Sequence, residues 1–118
     1  MILYVDDDAA NRRSIVTLLA KSGYTVMEAG DATEALGLVE HKVFELIITD
    51  VVLPGVNGLD LIDSIRLKWP SLPAIVFSGY LADTAANLIF KGHAEFIHKP
   101  FTKEELVAAI ERLLPKSD

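Results

Sequence analysis

After Met1 the chain reads Ile2-Leu3-Tyr4-Val5-Asp6-Asp7-Asp8, four apolar residues followed directly by three aspartates. A second apolar run, Leu46-Ile47-Ile48-Thr49, ends in the same way at Asp50. If both runs are parallel strands of one sheet, their carboxylates meet at one sheet edge, where α/β folds build ligand sites. Clustered carboxylates repel one another unless a cation lies between them, and hard cations such as Mg²⁺ prefer oxygen ligands. The pattern therefore predicts a metal site beside Asp50.

The rest of the chain alternates strand-like runs with helical segments. Five runs rich in branched or aromatic residues are predicted strands, at residues 2–5, 25–28, 45–49, 74–77 and 95–98. The segments between them carry apolar residues at helical spacing, and the stripe of the third helix is Leu59, Ile62, Ile65 and Trp69. Such alternation with short loops predicts a doubly wound, five-stranded parallel sheet with helices on both faces.

Local signals mark the ends of four predicted helices. They are Gly23 after the first, Asp31 before the second, Pro70 after the third, and a Thr102–Glu105 capping box before the last. No linker, repeat or low-complexity stretch interrupts the pattern. We therefore expect one α/β domain over residues 1–118.

Composition narrows the classes of function. The chain has 118 residues, 51% of them hydrophobic, which is enough for the core of a single domain. Its 17 acidic and 11 basic residues leave a net charge of −6, which disfavours direct binding of nucleic acid. The absence of cysteine, of a signal-peptide pattern and of a long apolar run leads us to expect a cytoplasmic domain without a membrane contact.

Two further predicted strands end in groups that can bind phosphoryl oxygens. Ser78-Gly79 follows the fourth strand, and Lys99-Pro100-Phe101 follows the fifth. Together with the aspartates, these loops supply acids, a hydroxyl and an ammonium at one predicted sheet edge. This set is typical of a phosphoryl-transfer site in which Asp50 is the nucleophile.

Five short motifs resemble those of the receiver domain of two-component response regulators, and their order and spacing match along essentially the whole chain. They are Val5-Asp6-Asp7, Thr49-Asp50, Leu53-Pro54-Gly55 with Gly58-Leu59, Phe77-Ser78-Gly79, and Lys99-Pro100-Phe101. One such motif is a weak signal, whereas five in register are specific. The resemblance implies a flavodoxin-like three-layer sandwich with strand order 2-1-3-4-5, and a phosphoacceptor regulatory domain rather than an enzyme.

The resemblance also implies how the aspartates act. Asp50 would accept a phosphoryl group from a histidine kinase or a histidine phosphotransfer protein, with Mg²⁺ as the cofactor. The Mg²⁺ ligands would be Asp7, Asp50 and the backbone carbonyl of Val52, with Asp6 acting through water. Such a sparse oxygen set suits Mg²⁺, which keeps several waters and binds substrate phosphate.

Further residues at positions that the resemblance identifies imply a conformational change when Asp50 is phosphorylated. Ser78 and Lys99 would bind the phosphoryl oxygens, and Phe96 on the fifth strand would follow the movement of the Ser78 loop. The resemblance implies a cis peptide bond before Pro100. The surface of the fourth helix, fifth strand and fifth helix would then control an output domain, a partner or a homodimer, and we expect an exposed Phe90 to contribute to that contact.

Other residues receive different interpretations. Asp8 is expected to be exposed or to stabilise the start of the first helix rather than to bind metal. The three histidines, His41, His93 and His98, are interpreted as structural or exposed. Val52 offers no group that could orient water and Tyr80 is bulky, so we expect slow loss of phosphate from Asp50.

Three alternatives compete with the switch. A phosphorylation-independent receiver-like module would need none of this chemistry. A Mg²⁺-dependent phosphatase with an aspartyl nucleophile usually has a second acid two residues later, where this chain has Val52. A flavin- or nucleotide-binding sandwich would need a Gly- or Ser/Thr-rich phosphate-binding loop after the first strand, where this chain has only acids. Three origins stay open for the chain: a stand-alone receiver, one excised from a DNA-binding regulator, or the receiver of a hybrid kinase, which the segments Leu53-Pro54-Gly55 and Phe77-Ser78-Gly79-Tyr80 resemble.

Overall fold

The computed structural model describes residues 1–78 and 94–114, with the backbone alone at Ser78 and Ala94. Its strands are β1 (Ile2–Val5), β2 (Val26–Ala29), β3 (Leu46–Asp50), β4 (Val52–Leu53), β5 (Val56–Asn57), β6 (Ala74–Ser78) and β7 (Ala94–His98). Its helices are α1 (Ala9–Lys21), α2 (Ala32–His41), α3 (Gly58–Arg66) and α4 (Lys103–Leu113). The predicted fourth helix lies outside the described residues, so α4 is the fifth helix of the prediction. None of the described helices combines the length and apolar character needed to cross a membrane.

Five of the strands form one parallel sheet in the order β2-β1-β3-β6-β7. In terms of the five predicted strands this is the order 2-1-3-4-5, so the predicted doubly wound topology is confirmed. Strand β1 has the predicted bounds, and the other four differ by one residue at one or both ends. The pattern of branched residues is therefore a reliable signal for each strand of the buried sheet.

The sheet separates two apolar clusters, and alternate residues of each strand enter opposite ones. One cluster, on the side of α2 and α3, includes Leu3, Val5, Ile47 and Val76. The other, on the side of α1 and α4, includes Ile2, Tyr4, Leu46, Ile48, Ile75 and Phe77. Because both faces are covered, the strands read as nearly continuous apolar runs, and polar side chains can cluster only where the strands end.

The predicted helix starts are confirmed. The Asp8 side chain accepts a hydrogen bond from the Asn11 backbone N–H and caps α1, and Asp31 caps α2 through Glu34 in the same way. Thr102 and Glu105 form a reciprocal capping box at α4. These caps satisfy backbone N–H groups that a helix leaves without intrahelical partners, and so place each helix start directly after the loop at the sheet edge.

A short antiparallel hairpin, β4–β5, is an element that the sequence pattern did not predict. Val52 pairs with Asn57 and Leu53 with Val56. The turn between them is Pro54-Gly55, and Gly55 has φ 74°, which glycine adopts without strain. The hairpin turns the chain back immediately after Asp50, so that α3 starts against the end of β3.

The third helix is shorter than predicted. It ends at Arg66, and Trp69, which was assigned to its apolar stripe, lies outside the helix. Trp69 still packs against the cluster beside α2 and α3, and its indole N–H donates to the Val39 carbonyl at 3.5 Å. The residue that precedes a proline disfavours the helical conformation. Pro70 therefore disfavours a helical Trp69, which fits a helix that ends before that residue.

Candidate functional site

The strand register brings the predicted polar residues to one sheet edge. Val5 pairs with Thr49, so Asp6 and Asp50 follow paired positions on neighbouring strands. Asp50 in turn pairs with Phe77, and the backbone of Ser78 pairs with His98, which precedes Lys99. The carboxyl ends of β1, β3, β6 and β7 therefore form a single polar edge, as the sequence predicted.

Asp50 and Lys99 form an ion pair at this edge. The Lys99 ammonium lies 2.5 Å from Asp50 Oδ1, and the two side chains are 40% and 11% exposed. Burial raises the pKa of Asp50 above its usual value, while the hydrogen bond and charge of Lys99 lower it and the charges of Asp6 and Asp7 raise it again. The pKa of Asp50 is raised overall. Burial and the neighbouring negative charges thus disfavour its ionised form, and a bound cation would favour it.

Asp6 is held by a dense set of hydrogen bonds. It is 2% exposed, and its Oδ1 accepts from the backbone N–H of Asp8 at 2.9 Å. Its Oδ2 accepts from the Asn11 side-chain amide at 2.6 Å and from the Tyr4 hydroxyl at 3.3 Å. The Arg12 guanidinium donates to the Asp6 backbone carbonyl at 2.5 Å and to Glu28 Oε1 at 2.9 Å.

Asp7 and Val52 are exposed on the solvent side of the same edge. The charge of Asp7 raises the pKa of Asp50, which places the two carboxylates within electrostatic reach of each other. Val52 is the first residue of β4, two residues after Asp50, and its side chain is 72% exposed. Slow loss of phosphate owing to this apolar neighbour stays a prediction.

The donor set at this edge fits Mg²⁺ in its chemistry. Asp6, Asp7 and Asp50 supply carboxylate oxygens, and the electrostatic repulsion at Asp50 is of the kind that a divalent cation removes. Among residues 1–78 and 94–114, no three acidic, histidine or cysteine side chains converge closely enough to hold an ion by themselves. Asp6 accepts three hydrogen bonds within the described part of the protein, so roughly one of the four acceptor positions of its carboxylate is left for a water or a cation.

The backbone of Asp50 is fixed from two sides. The Thr49 hydroxyl donates to the Asp50 carbonyl at 3.1 Å. Gly58, at the start of α3, lies so close that a Cβ built on it would be 1.9 Å from the Asp50 carbonyl oxygen. The Gly58 backbone N–H donates to the Val51 carbonyl at 2.6 Å, so a side chain at Gly58 would have to displace the residues that carry the site.

Three aromatic rings, those of Tyr4, Phe77 and Phe101, pack beside Asp50 and Lys99. The Phe77 ring stacks on Phe101 at 4.6 Å between centroids and lies 6.2 Å from Tyr4. The Lys99 ammonium lies 5.9 Å from the Phe77 centroid. The Lys99–Pro100 peptide bond is cis, as the resemblance implies. The hydroxyl of Tyr4, buried beside Asp6 and Asp50, has its pKa raised, chiefly by burial and then by these two charges.

The other predicted positions divide into described and undescribed ones. Phe96 lies on β7, is half-buried and packs against the cluster beside α2 and α3. His41 and His98 are exposed, as expected. The Ser78 side chain, Gly79, Tyr80, Phe90 and His93 lie outside the described residues, so their expected roles stay predictions.

Sequence reasoning missed the residues that support Asp6. Tyr4 belongs to the apolar run that predicts the first strand, and the sequence pattern predicts no role for Asn11 or Arg12. A signal was present, because residues in the first turn of a capped helix lie beside the loop that precedes it. Asn11 and Arg12 are the polar residues of that turn.

The chain is similar in sequence to known proteins of one family. The sequence profile of the family "Response regulator receiver domain" matches residues 2–111. The DNA-binding transcriptional regulator NtrC of Azospirillum brasilense is 41% identical over 114 residues, which cover 96% of this chain and 24% of that protein. The sensor kinase CckA of Brucella abortus is 35% identical over 120 residues, which cover 99% of this chain and 13% of that protein. The chain thus spans a quarter or less of the length of these curated relatives.

The fold is shared with solved receiver domains. The crystal structure of the receiver domain of NtrX from Brucella abortus matches with a TM-score of 0.87 at 30% identity, and covers 99% of this chain and 100% of that chain. Sequence profile, curated relatives and fold agree on one family. The chain therefore belongs to the response regulator receiver domains of two-component systems.

Proposed function

We propose that this receiver domain is a phosphoacceptor switch in a two-component phosphorelay and that Asp50 is the acceptor. The observation that carries the proposal is the Asp50–Lys99 ion pair of 2.5 Å at the sheet edge, beside the charges of Asp6 and Asp7. Here a buried carboxylate, a lysine ammonium and two further acids lie close together. A phosphoryl-transfer site needs positioning and compensation of charge rather than an elaborate catalytic apparatus.

The transfer step uses the ionised Asp50 side chain. A carboxylate oxygen attacks the phosphorus of a phosphohistidine, a P–O bond forms, and the P–N bond breaks as the imidazole leaves with the electron pair and takes up a proton. Lys99 holds Asp50 ionised before the transfer and then pairs with a phosphoryl oxygen. As a compact charge on a flexible stem it suits that exchange of partners.

The same edge would bind Mg²⁺ through Asp7, Asp50 and the Val52 carbonyl, with Asp6 acting through water. When bound, Mg²⁺ compensates the negative charge of the acids and of the incoming phosphoryl oxygens. Lys99 alone cannot do so, because three carboxylates and a dianionic group would share one ammonium.

The output surface would comprise the predicted fourth helix, β7 and α4. Arg112 of α4 and Glu95 of β7 link two of these elements with hydrogen bonds of 2.6 and 2.8 Å. Ser78 and Phe96 would transmit the change, because Ser78 ends the strand next to Asp50 and Phe96 lies on β7 beside it. A dimer or an output partner would read the altered surface.

The phosphoryl donor we propose is a histidine kinase or a histidine phosphotransfer protein. The relatives named above support such a relay, since one is a transcriptional regulator and the other a sensor kinase. The net charge of −6 favours a protein partner rather than direct contact with nucleic acid. We also propose a cytoplasmic location, because a chain with no cysteine fits a reducing compartment.

Incubation with acetyl phosphate and MgCl₂, followed by intact mass spectrometry, tests the proposal. We expect one phosphoryl adduct that hydroxylamine removes and that Asp50→Asn does not form. Asp8→Asn is the matched control and should be labelled like the parent, because Asp8 caps α1 and asparagine caps equally well. No adduct on the parent would favour a phosphorylation-independent module, and steady release of phosphate from unrelated phosphate esters would favour the phosphatase.

A further inference from the structure

Asp6 differs from the other acids of the site in how completely the protein holds it. Its side chain is buried, and its carboxylate accepts from Asp8, Asn11 and Tyr4. Two of these donors, Asn11 and Tyr4, act on the same oxygen, Oδ2. A carboxylate oxygen has about two acceptor positions, so Oδ2 faces a donor of the protein at both, with Asn11 at 2.6 Å and Tyr4 at 3.3 Å.

The other oxygen, Oδ1, accepts from the Asp8 backbone N–H alone among the hydrogen bonds of the described residues. One acceptor position of Oδ1 is therefore left for a water or a cation. The backbone of Asp6 is also held, because Arg12 donates to its carbonyl and is itself anchored by Glu28. These donors oppose rotation of the carboxylate, because an exchange of its two oxygens would break the hydrogen bonds that Asn11 and Asp8 make with it.

We propose that Asn11, supported by Tyr4, is a positioning residue that commits Asp6 Oδ2 to the protein and leaves Oδ1 as the atom through which Asp6 acts on Mg²⁺. The inference rests on the proposed function, since it concerns the metal of that same site. Partners of metal-binding groups fix the orientation of those groups, and their loss typically costs about 10- to 100-fold in metal affinity.

The two donors are unequal. The Asn11 amide lies 2.6 Å from Oδ2, a short distance for such a bond, whereas the Tyr4 hydroxyl lies at 3.3 Å, beyond the usual range for a hydroxyl donor. Asn11 is exposed on the first turn of α1, while Tyr4 is wholly buried. Asn11 therefore carries more of the positioning and can be replaced with less risk to the core.

The test is a titration of the ¹⁵N-labelled domain with MgCl₂, without a phosphoryl donor, in which amide chemical shifts give the dissociation constant of Mg²⁺. We expect Asn11→Ala to raise that constant by about 10-fold and Tyr4→Phe to raise it less. In the metal-free parent, the Asn11 side-chain amide should show a bonded proton that Asp6→Ala shifts.

Thr17→Ala is the control, because Thr17 is an exposed residue of the same helix outside the Asp6 network. It should leave the Mg²⁺ dissociation constant unchanged. Thermal unfolding without Mg²⁺ separates a loosened fold from lost positioning, since Asn11→Ala should unfold close to the temperature of the parent. The inference is wrong if Asn11→Ala binds Mg²⁺ as the parent does, or if Thr17→Ala weakens binding equally. Failure of Asp50 to accept phosphate would instead overturn the proposed function, and this titration does not depend on that reaction.

Discussion

At the scale of single residues, the site depends on a conflict at Asp50. The proposed phosphoacceptor must be ionised to react, yet the Asp50 side chain is only 11% exposed and lies beside two other acids. Lys99 opposes both effects through its hydrogen bond and its charge, but burial is the largest cause and the pKa of Asp50 stays raised. The ionised form of Asp50 therefore lowers the free energy of unfolding. A bound cation, or a phosphoryl group with its metal, would offset that loss of stability.

This conflict predicts how stability depends on pH. An acid whose pKa is higher in the folded than in the unfolded state opposes folding at pH values above the folded pKa. The penalty is about 1.4 kcal/mol for each unit of difference, and it disappears as the pH falls through the folded pKa towards 3.8, the ordinary value for this carboxyl group. In EDTA, Asp50→Asn should therefore be more stable than the parent at neutral pH and lose that advantage in acid.

Urea unfolding over a series of pH values measures the effect. Asp60→Asn, which changes an exposed carboxylate of α3, should show no such gain. A parent that is as stable as Asp50→Asn at neutral pH would contradict the prediction.

At the scale of elements, the hairpin β4–β5 and the start of α3 determine where Asp50 lies. The turn at Pro54-Gly55 returns the chain so that Gly58 packs on the Asp50 carbonyl. Asn57 then caps α3 by accepting from the Leu59 backbone N–H at 2.7 Å. The segment from Val51 to Asn57 thereby brings Gly58 against the backbone of Asp50, the proposed phosphoacceptor.

Gly58→Ala should destabilise the domain and slow the phosphorylation of Asp50. The added methyl group would overlap the Asp50 carbonyl, and backbone must move to admit it, which costs about 1–3 kcal/mol or more. Urea unfolding and the initial rate of labelling by acetyl phosphate measure the two effects. Gly37→Ala is the matched control in the interior of α2, where a methyl group meets nothing within 4 Å.

That control should be more stable than the parent by about 0.5–1 kcal/mol and should be labelled at the parent's rate. If Gly58→Ala matched Gly37→Ala in both stability and labelling rate, the close contact between Gly58 and the Asp50 carbonyl would matter for neither property.

At the scale of the whole molecule, the site is assembled from residues that are far apart in the chain. Asp6, Asp50 and Lys99 come from the ends of three strands of the sheet, and only the parallel order brings them together. Folding therefore creates a cluster of negative charge that does not exist in the unfolded chain. A ligand that binds this cluster must stabilise the folded state.

Mg²⁺ should raise the unfolding temperature of the domain, and EDTA should reverse the effect. At a concentration about 100 times the dissociation constant, binding to the folded state contributes about 2.7 kcal/mol. Asp7→Asn should lose most of the gain, whereas Glu40→Gln, near the end of α2, should keep it. Calorimetry with and without MgCl₂ measures this, and an equal gain in Asp7→Asn and the parent would remove Asp7 from the metal site.

Much of this organisation could be predicted from local sequence. Branched runs marked the five strands of the sheet, and caps such as Asp31 and Thr102 marked helix starts, because these signals act within a few residues. The order of motifs also placed Asp50 and Lys99 at one edge, since parallel strands end together.

Other features required the tertiary structure. The early end of α3, the contact of Gly58 with Asp50, and the donors that hold Asp6 each depend on atoms that approach only in the folded chain. The residue types and their period thus sufficed by themselves to predict that Asp6, Asp50 and Lys99 follow strands that end at one edge of the sheet. Tertiary packing decided the distances among those side chains and the hydrogen bonds that Asp6 Oδ2 accepts from Asn11 and Tyr4. Contacts between individual atoms leave no periodic pattern in the sequence from which they could be predicted.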